Sequence, residues 1–179
     1  ESGELDSFNM DDALEKDEVA RFTSSAIRSI EGLNSFATED TILAHLDKLL
    51  TVFKDYPNEK SSIIARTGVI PFVEMLQMPN PKIVHAILKI INMIVEDGTI
   101  RESFSVMGGI ASTLQYANRK FSRPIRQETS VFIKQMLSAG RKTMQMFIGA
   151  RGLPVLVDFI ASEEDFTHNK DLVLIGIDC

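Results

Sequence analysis

Gly68-Val69-Ile70-Pro71-Phe72-Val73 decides the fold, because it returns as Gly108-Gly109-Ile110-Ala111-Ser112-Thr113 and again as Arg151-Gly152-Leu153-Pro154-Val155-Leu156. Pro71, Ala111 and Pro154 share one register, at intervals of 40 and 43 residues. Proline at the first helical position gives up no hydrogen bond, since that N–H has no acceptor inside the helix, and a preceding glycine permits a sharp entry. Each copy therefore reads as a tight turn opening into an apolar helix.

Working outward, a second marker keeps the same period. Apolar residues at helical spacing begin at Ile42, Ile83 and Ile125, which lie 41 and 42 residues apart. Each unit then reads as a long helix, a turn, a short helix, a glycine turn and a further helix. Pro57, Asp97-Gly98 and Ala139-Gly140 supply the stops for the long helices. A helix pair of this kind carries more apolar surface than it buries alone, and stacking on the next unit covers the excess. A period of about 40 to 47 residues with two or three helices per unit falls in the armadillo and HEAT range, and the Gly-x-Ile-Pro entry points to armadillo. The expected fold is all-α: a right-handed superhelical repeat (α-solenoid) of three units, roughly 42–82, 83–124 and 125–167. Upstream, Val19, Phe22, Ala26, Ile27, Ile30 and Leu33 fall on one helix face and predict a capping region over 18–41. Downstream, residues 171–177 read as the opening helix of a fourth unit, so that 42–179 would be repeat throughout.

Composition narrows the function classes. Of 179 residues, 44% are hydrophobic and 25% charged, which excludes a disordered tail. The single cysteine, Cys179, forms no internal bridge and suits a reducing compartment. The longest uncharged stretch, residues 103–118, is broken by Ser, Gly, Thr and Gln, so no membrane span is expected. No apolar leader follows Glu1, which suggests a piece of a longer protein. The net charge of −6 speaks against nonspecific nucleic-acid binding. Its layout says more than its sum. Residues 1–18 hold eight acids against Lys16 alone, a net −7; residues 119–151 hold eight bases against Glu128 alone, a net +7. The first 17 residues are expected to form a separate acidic segment.

Several stretches resemble one known family. They are Arg21-Phe22-Thr23-Ser24-Ser25 with Ile27-Arg28-Ser29, Leu49-Leu50-Thr51-Val52-Phe53, Leu88-Lys89-Ile90-Ile91-Asn92-Met93-Ile94 and, most specifically, Met144-Gln145-Met146-Phe147-Ile148-Gly149-Ala150-Arg151-Gly152-Leu153-Pro154-Val155-Leu156-Val157. Over residues 20–179 the chain is similar to the armadillo-repeat region of the fungal septation-initiation and mitotic-exit protein kinases and of plant MAP-kinase-kinase-kinase epsilon. That resemblance implies a noncatalytic regulatory region behind a kinase domain. It also implies cytoplasmic action at spindle pole bodies or the division site, with a pole-body scaffold and a small GTPase as partners.

Catalytic chemistry is not in evidence in the residues themselves. No Gly-x-Gly-x-x-Gly loop, His-Arg-Asp, Asp-Phe-Gly or phosphate loop ending in Gly-Lys-Ser/Thr occurs. His45, His85 and His168 show no ligand spacing, so no metal and no cofactor are expected. Met75, Met78, Met93, Met107, Met136, Met144 and Met146 fall at helical spacing and are most simply core filler. Two candidate protein-binding surfaces remain. One is a basic cluster of Arg119, Lys120, Arg123, Arg126, Arg141 and Lys142, suited to an acidic or phosphorylated segment and either gathered on one ridge or split between opposite edges. The other is a groove expected around Phe72, Met75, Gln115, Tyr116 and Asn118. Nucleic acid is disfavoured, because Phe121 alone among the basic block's neighbours offers a stacking platform. The alternative function is homo-oligomerisation or autoregulation, with the acidic leader covering the basic block. An importin-like carrier is weaker, since its Trp-Asn ladder needs tryptophan and the chain has none.

Overall fold

A computed structural model describes residues 10–161, and every regular element among them is a helix. A long helix α1 (Met10–Glu31) leads into three units. The first holds α2 (Glu39–Asp55), α3 (Lys60–Thr67) and α4 (Ile70–Met75). The second holds α5 (Pro81–Ile94), α6 (Gly98–Val106) and α7 (Gly109–Leu114), and the third α8 (Arg123–Ser138), α9 (Arg141–Gly149) and α10 (Gly152–Ala161). The region expected to open a fourth unit lies outside the described residues, as do His168 and Cys179.

Local chemistry sets the boundaries. The long helices start behind Thr38, Asn80 and Ser122, three cap-type residues at equal intervals of 42. The Thr38 hydroxyl accepts from the Thr41 N–H, and the Asn80 side chain accepts from the N–H groups of Lys82 and Ile83. Asp97 caps α6 in the same way, accepting from Thr99 and Ile100 at 2.8 and 3.1 Å. The turn before the last helix of each unit carries a left-handed residue: Gly68 (φ 75°), Gly108 (φ 81°) and Arg151 (φ 61°).

The helices then stack in layers. α2, α5 and α8 lie side by side, and α5, with neighbours on both flanks, buries Ile83, Val84, Ile87, Leu88, Ile90, Ile91 and Ile94. Five phenylalanines, Phe53, Phe72, Phe104, Phe132 and Phe147, are wholly enclosed, and burying each contributes roughly 1.5–3 kcal/mol. Phe104 meets Phe132 edge to face at 5.9 Å, tying the second unit to the third. Polar links also run from one unit to the next. Asn80 reaches Glu39, Lys60 reaches the Met93 carbonyl and Glu96, Ser61 donates to Asp97, and the Tyr116 hydroxyl donates to the Leu76 carbonyl.

α1 starts at Met10, inside the stretch expected to be a separate leader, and runs back along α2. Its Phe22 stacks on Tyr56, just past the end of α2, at 4.8 Å. Near its far end, Gly32 lies against the His45 ring. Ala26, Ile27, Ile30 and Leu33 are buried, so this helix closes the face of α2 that has no preceding long helix.

Candidate functional site

The groove expected around Phe72, Met75, Gln115, Tyr116 and Asn118 is not formed. Phe72 and Met75 are fully buried on α4, and Tyr116 is buried with its hydroxyl bonded to the Leu76 carbonyl; only Gln115 and Asn118 reach solvent. The physical reason is that α4 and the turn after α7 pack against their long neighbours, which turns Phe72, Met75 and Tyr116 inward as core, while Ile70 on α4 stays exposed. Burial also pushes the Tyr116 phenol above its ordinary range, which keeps it a neutral donor.

The basic cluster is divided between the two ends of α8. Arg119, Lys120, Arg123 and Arg126 gather at its start, whereas Arg141 and Lys142 open α9 beyond its end. The helical stretch from Arg126 to the end of α8 at Ser138 alone spans about 18 Å at 1.5 Å per residue. Lys142 is moreover engaged with Glu102 on α6. Of the two arrangements left open by the spacing, the split one holds.

What the structure adds is the solvent-facing side of the long-helix layer. On α5 the outward stripe is Lys82, the half-buried His85, and Lys89, with Glu96 just past its end; on α8 it is Arg123, Gln127, Val131 and Lys134. Together with the loop residues Arg119 and Lys120, these two adjacent helices expose six cations: Lys82, Lys89, Arg119, Lys120, Arg123 and Lys134. Two acids of the same region, Glu96 and Glu128, are engaged within the chain. Glu96 pairs with Lys60 at 2.7 Å. Glu128 accepts from the Asn92 amide at 2.9 Å and lies 3.9 Å from the His85 ring. Burial, and then the neighbouring Lys89, push the His85 imidazole below its ordinary value, with Glu128 opposing them, so this histidine adds no charge at neutral pH. The positive field of the face therefore comes from its lysines and arginines. Lys82 and Lys89 lie some 35 residues before the basic block, and only the α5–α8 contact reveals that they belong with it.

Two shallower features lie at the other end of the stack. A cleft of about 880 Å³ runs along α1 and is lined by Arg21, Phe22, Arg28 and Lys48. A smaller one of about 590 Å³ between α1 and α3 is lined by Glu15, Lys16, Glu59 and Arg66. Glu18 accepts from the Tyr56 hydroxyl at 3.3 Å, which places the acidic part of α1 on the first unit, away from α8. Among the described residues no group of three His, Cys, Asp or Glu is arranged to hold a metal ion, and no helix is long and apolar enough to cross a membrane.

No family model matches the chain. Among curated proteins, it is 36% identical over 175 residues to the cytokinesis protein sepH of Aspergillus terreus, covering 97% of this chain and 13% of that protein. It is 33% identical over 154 residues to MAP3K epsilon protein kinase 2 of Arabidopsis thaliana, covering 84% of this chain and 11% of the relative. It is 30% identical over 162 residues to cell division control protein 7 of Schizosaccharomyces pombe, covering 89% and 15%. The chain thus spans about an eighth of the length of these relatives, and its helical repeats are a region distinct from a kinase catalytic domain. In architecture it matches a computationally designed armadillo repeat protein for modular peptide recognition, with a TM-score of 0.69 and 15% identity over 84% of this chain and 71% of that one. That likeness shows the fold, and with the sequence relatives it leads to one conclusion: the chain belongs to the armadillo-repeat segment shared by the sepH cytokinesis proteins, the MAP3K epsilon protein kinases and cell division control protein 7.

Proposed function

We propose that this segment is the noncatalytic docking region of a cell-division protein kinase, and that the exposed α5–α8 face holds an acidic segment of a protein partner. The observation that carries the reading is the gathering of exposed cations from two successive units on one face, Lys82 and Lys89 on α5 beside Arg119 and Lys120 in the loop before α8. Arginine forks and lysine ammonium groups at a half-open surface favour carboxylates and phosphates, and speed encounter more than they deepen affinity. The partner classes are a pole-body scaffold or a small GTPase, at the spindle pole body or division site. The words cytokinesis and cell division in the relatives' names support that setting, and the peptide recognition named for the designed armadillo protein supports an extended mode of contact. The test is charge reversal at Lys89, Arg119 and Arg123 together. Binding to the scaffold and the GTPase is expected to fall at least about tenfold; unchanged affinity for both removes the face from the mechanism.

A second reading is self-association, favoured by the placement of acid and base at opposite ends. Glu15, Asp17 and Glu18 lie on α1 beside the first unit and the basic face lies on the second and third, so that contact between these acids and that face would join two copies. Deleting residues 1–17 and measuring mass by light scattering separates the two: a mass that falls supports assembly, and an unaltered monomer excludes it.

A further inference from the structure

We propose that Ser122 is a phosphoryl-acceptor site for a basophilic Ser/Thr protein kinase, and that the added phosphate closes the α5–α8 face to acidic segments. The second half rests on the docking reading above; the first does not.

Kinases of that class carry carboxylates that read an arginine three residues before the acceptor. The spacing Arg-x-x-Ser/Thr occurs at three places in the chain: Arg21 to Ser24, Arg119 to Ser122 and Arg126 to Thr129. The structure separates them. Thr129 is fully buried, with its hydroxyl bonded to the Ile125 carbonyl at 2.9 Å. Ser24 sits in the middle of α1, where helical backbone prevents the extended conformation that a kinase cleft holds. Ser122 alone is exposed, outside a helix and extended (φ −62°, ψ 153°), with Lys120 as a second base at the position two before it.

Its hydroxyl is also idle. Thr38 and Asn80, at the same place in the first two units, spend their side chains on helix N–H groups, whereas Ser122 makes no capping bond. Its conversion therefore sacrifices no capping bond. The loop in front of it is held by two bonds to Asn118, from the N–H groups of Lys120 (3.0 Å) and Phe121 (3.1 Å), and by the Phe121 ring against Tyr116 at 4.8 Å. Few bonds of this kind need to open for the segment to enter a kinase cleft.

In the reaction the Ser122 oxygen attacks the γ-phosphorus of magnesium-bound ATP and a new O–P bond forms. The bond from that phosphorus to the ADP oxygen breaks, and the hydroxyl proton passes to the kinase's catalytic carboxylate. The product carries about −1.5 to −2 charges at neutral pH, beside Arg119, Lys120 and Arg123. Arg119 and Lys120 then pair with the chain's own phosphate, and an incoming carboxylate meets a neutral or negative loop where it had met a positive one.

The experiment incubates the 179-residue chain and its Ser122→Ala variant with magnesium-ATP and the catalytic subunit of cAMP-dependent protein kinase, and maps the phosphate by mass spectrometry. Fluorescence anisotropy with a labelled octaglutamate peptide follows, on treated and untreated protein. Phosphate at Ser122, none there in the variant, and an affinity for octaglutamate lower by about tenfold only in treated unsubstituted chain is the expected result. Absence of phosphate from Ser122, or its presence with unchanged affinity, overturns the proposal. If untreated chain fails to bind octaglutamate while Ser122 is modified, the acceptor site stands and both the docking reading and the closing role fall.

Discussion

Neighbouring glycines in the second unit do two different jobs. Gly108 takes the left-handed turn, while a Cβ on Gly109 would run into the Phe104 ring, and Gly152 stands in the same relation to Phe147. In the first unit the pair at that spacing is Ile64 and Val69, both buried. A larger ring under a missing side chain is thus exchanged for a smaller residue under a branched one. Gly109→Ala is expected to cost about 1–3 kcal/mol by overpacking. Combining it with Phe104→Leu is expected to cost less than the sum of the singles, by thermal or urea unfolding; strict additivity would show that the two side chains do not share the space. The motif's turn was legible in the sequence, because glycine and proline announce turns. The clash was not, because it depends on a ring five residues upstream whose direction only the packed helix fixes.

At the level of elements, the caps are the sharpest marks. Thr38, Asn80 and Ser122 recur every 42 residues in front of the long helices, and the first two fix the helix start by a side-chain bond. Asn80→Ala is expected to cost about 1 kcal/mol through α5, with the contact to Glu39 lost as well. Asp97 adds a pH dependence. The Ser61 hydroxyl, then the N–H of Ile100, hold its carboxyl below the usual value of 3.8, against a smaller opposing effect of burial. A carboxylate whose pKa is lower in the folded state stabilises the fold above its unfolded pKa, and that stabilisation disappears as pH falls through the folded value. The stability gap between unsubstituted chain and Asp97→Asn is therefore expected to be constant at neutral pH and to close only in acid below pH 3.8. A gap that persists there, or that closes near pH 6, contradicts the assignment. Helix number, order and apolar faces could be read from periodicity alone. The fate of α4 and of the turn after α7 could not: both present apolar residues, and choosing core over groove for Phe72, Met75 and Tyr116 requires knowing which layer lies outermost.

Across the whole molecule, hydrogen bonds and ion pairs join residues 33 to 43 positions apart, which is one unit to the next. Tyr116→Phe deletes one of them and leaves the buried Leu76 carbonyl without its donor, at an expected cost of about 1–3 kcal/mol; a neutral effect on unfolding would show that the link carries no stability. The same stacking builds the binding face. The basic block was visible as a run of charge, yet its division between the ends of α8, and the recruitment of Lys82 and Lys89 from the preceding unit, follow from the alignment of α5 with α8 and have no mark in the linear order. The docking account is tested most directly by the affinity of the unmodified chain for octaglutamate, measured by anisotropy at low and at physiological salt, beside the Lys89→Glu, Arg119→Glu, Arg123→Glu triple variant. The account predicts binding that weakens as salt shortens the Debye length to about 8 Å and that the triple variant abolishes, while reversal of Arg141 and Lys142 leaves most of it intact. Equal binding by the unsubstituted chain and the triple variant would contradict it.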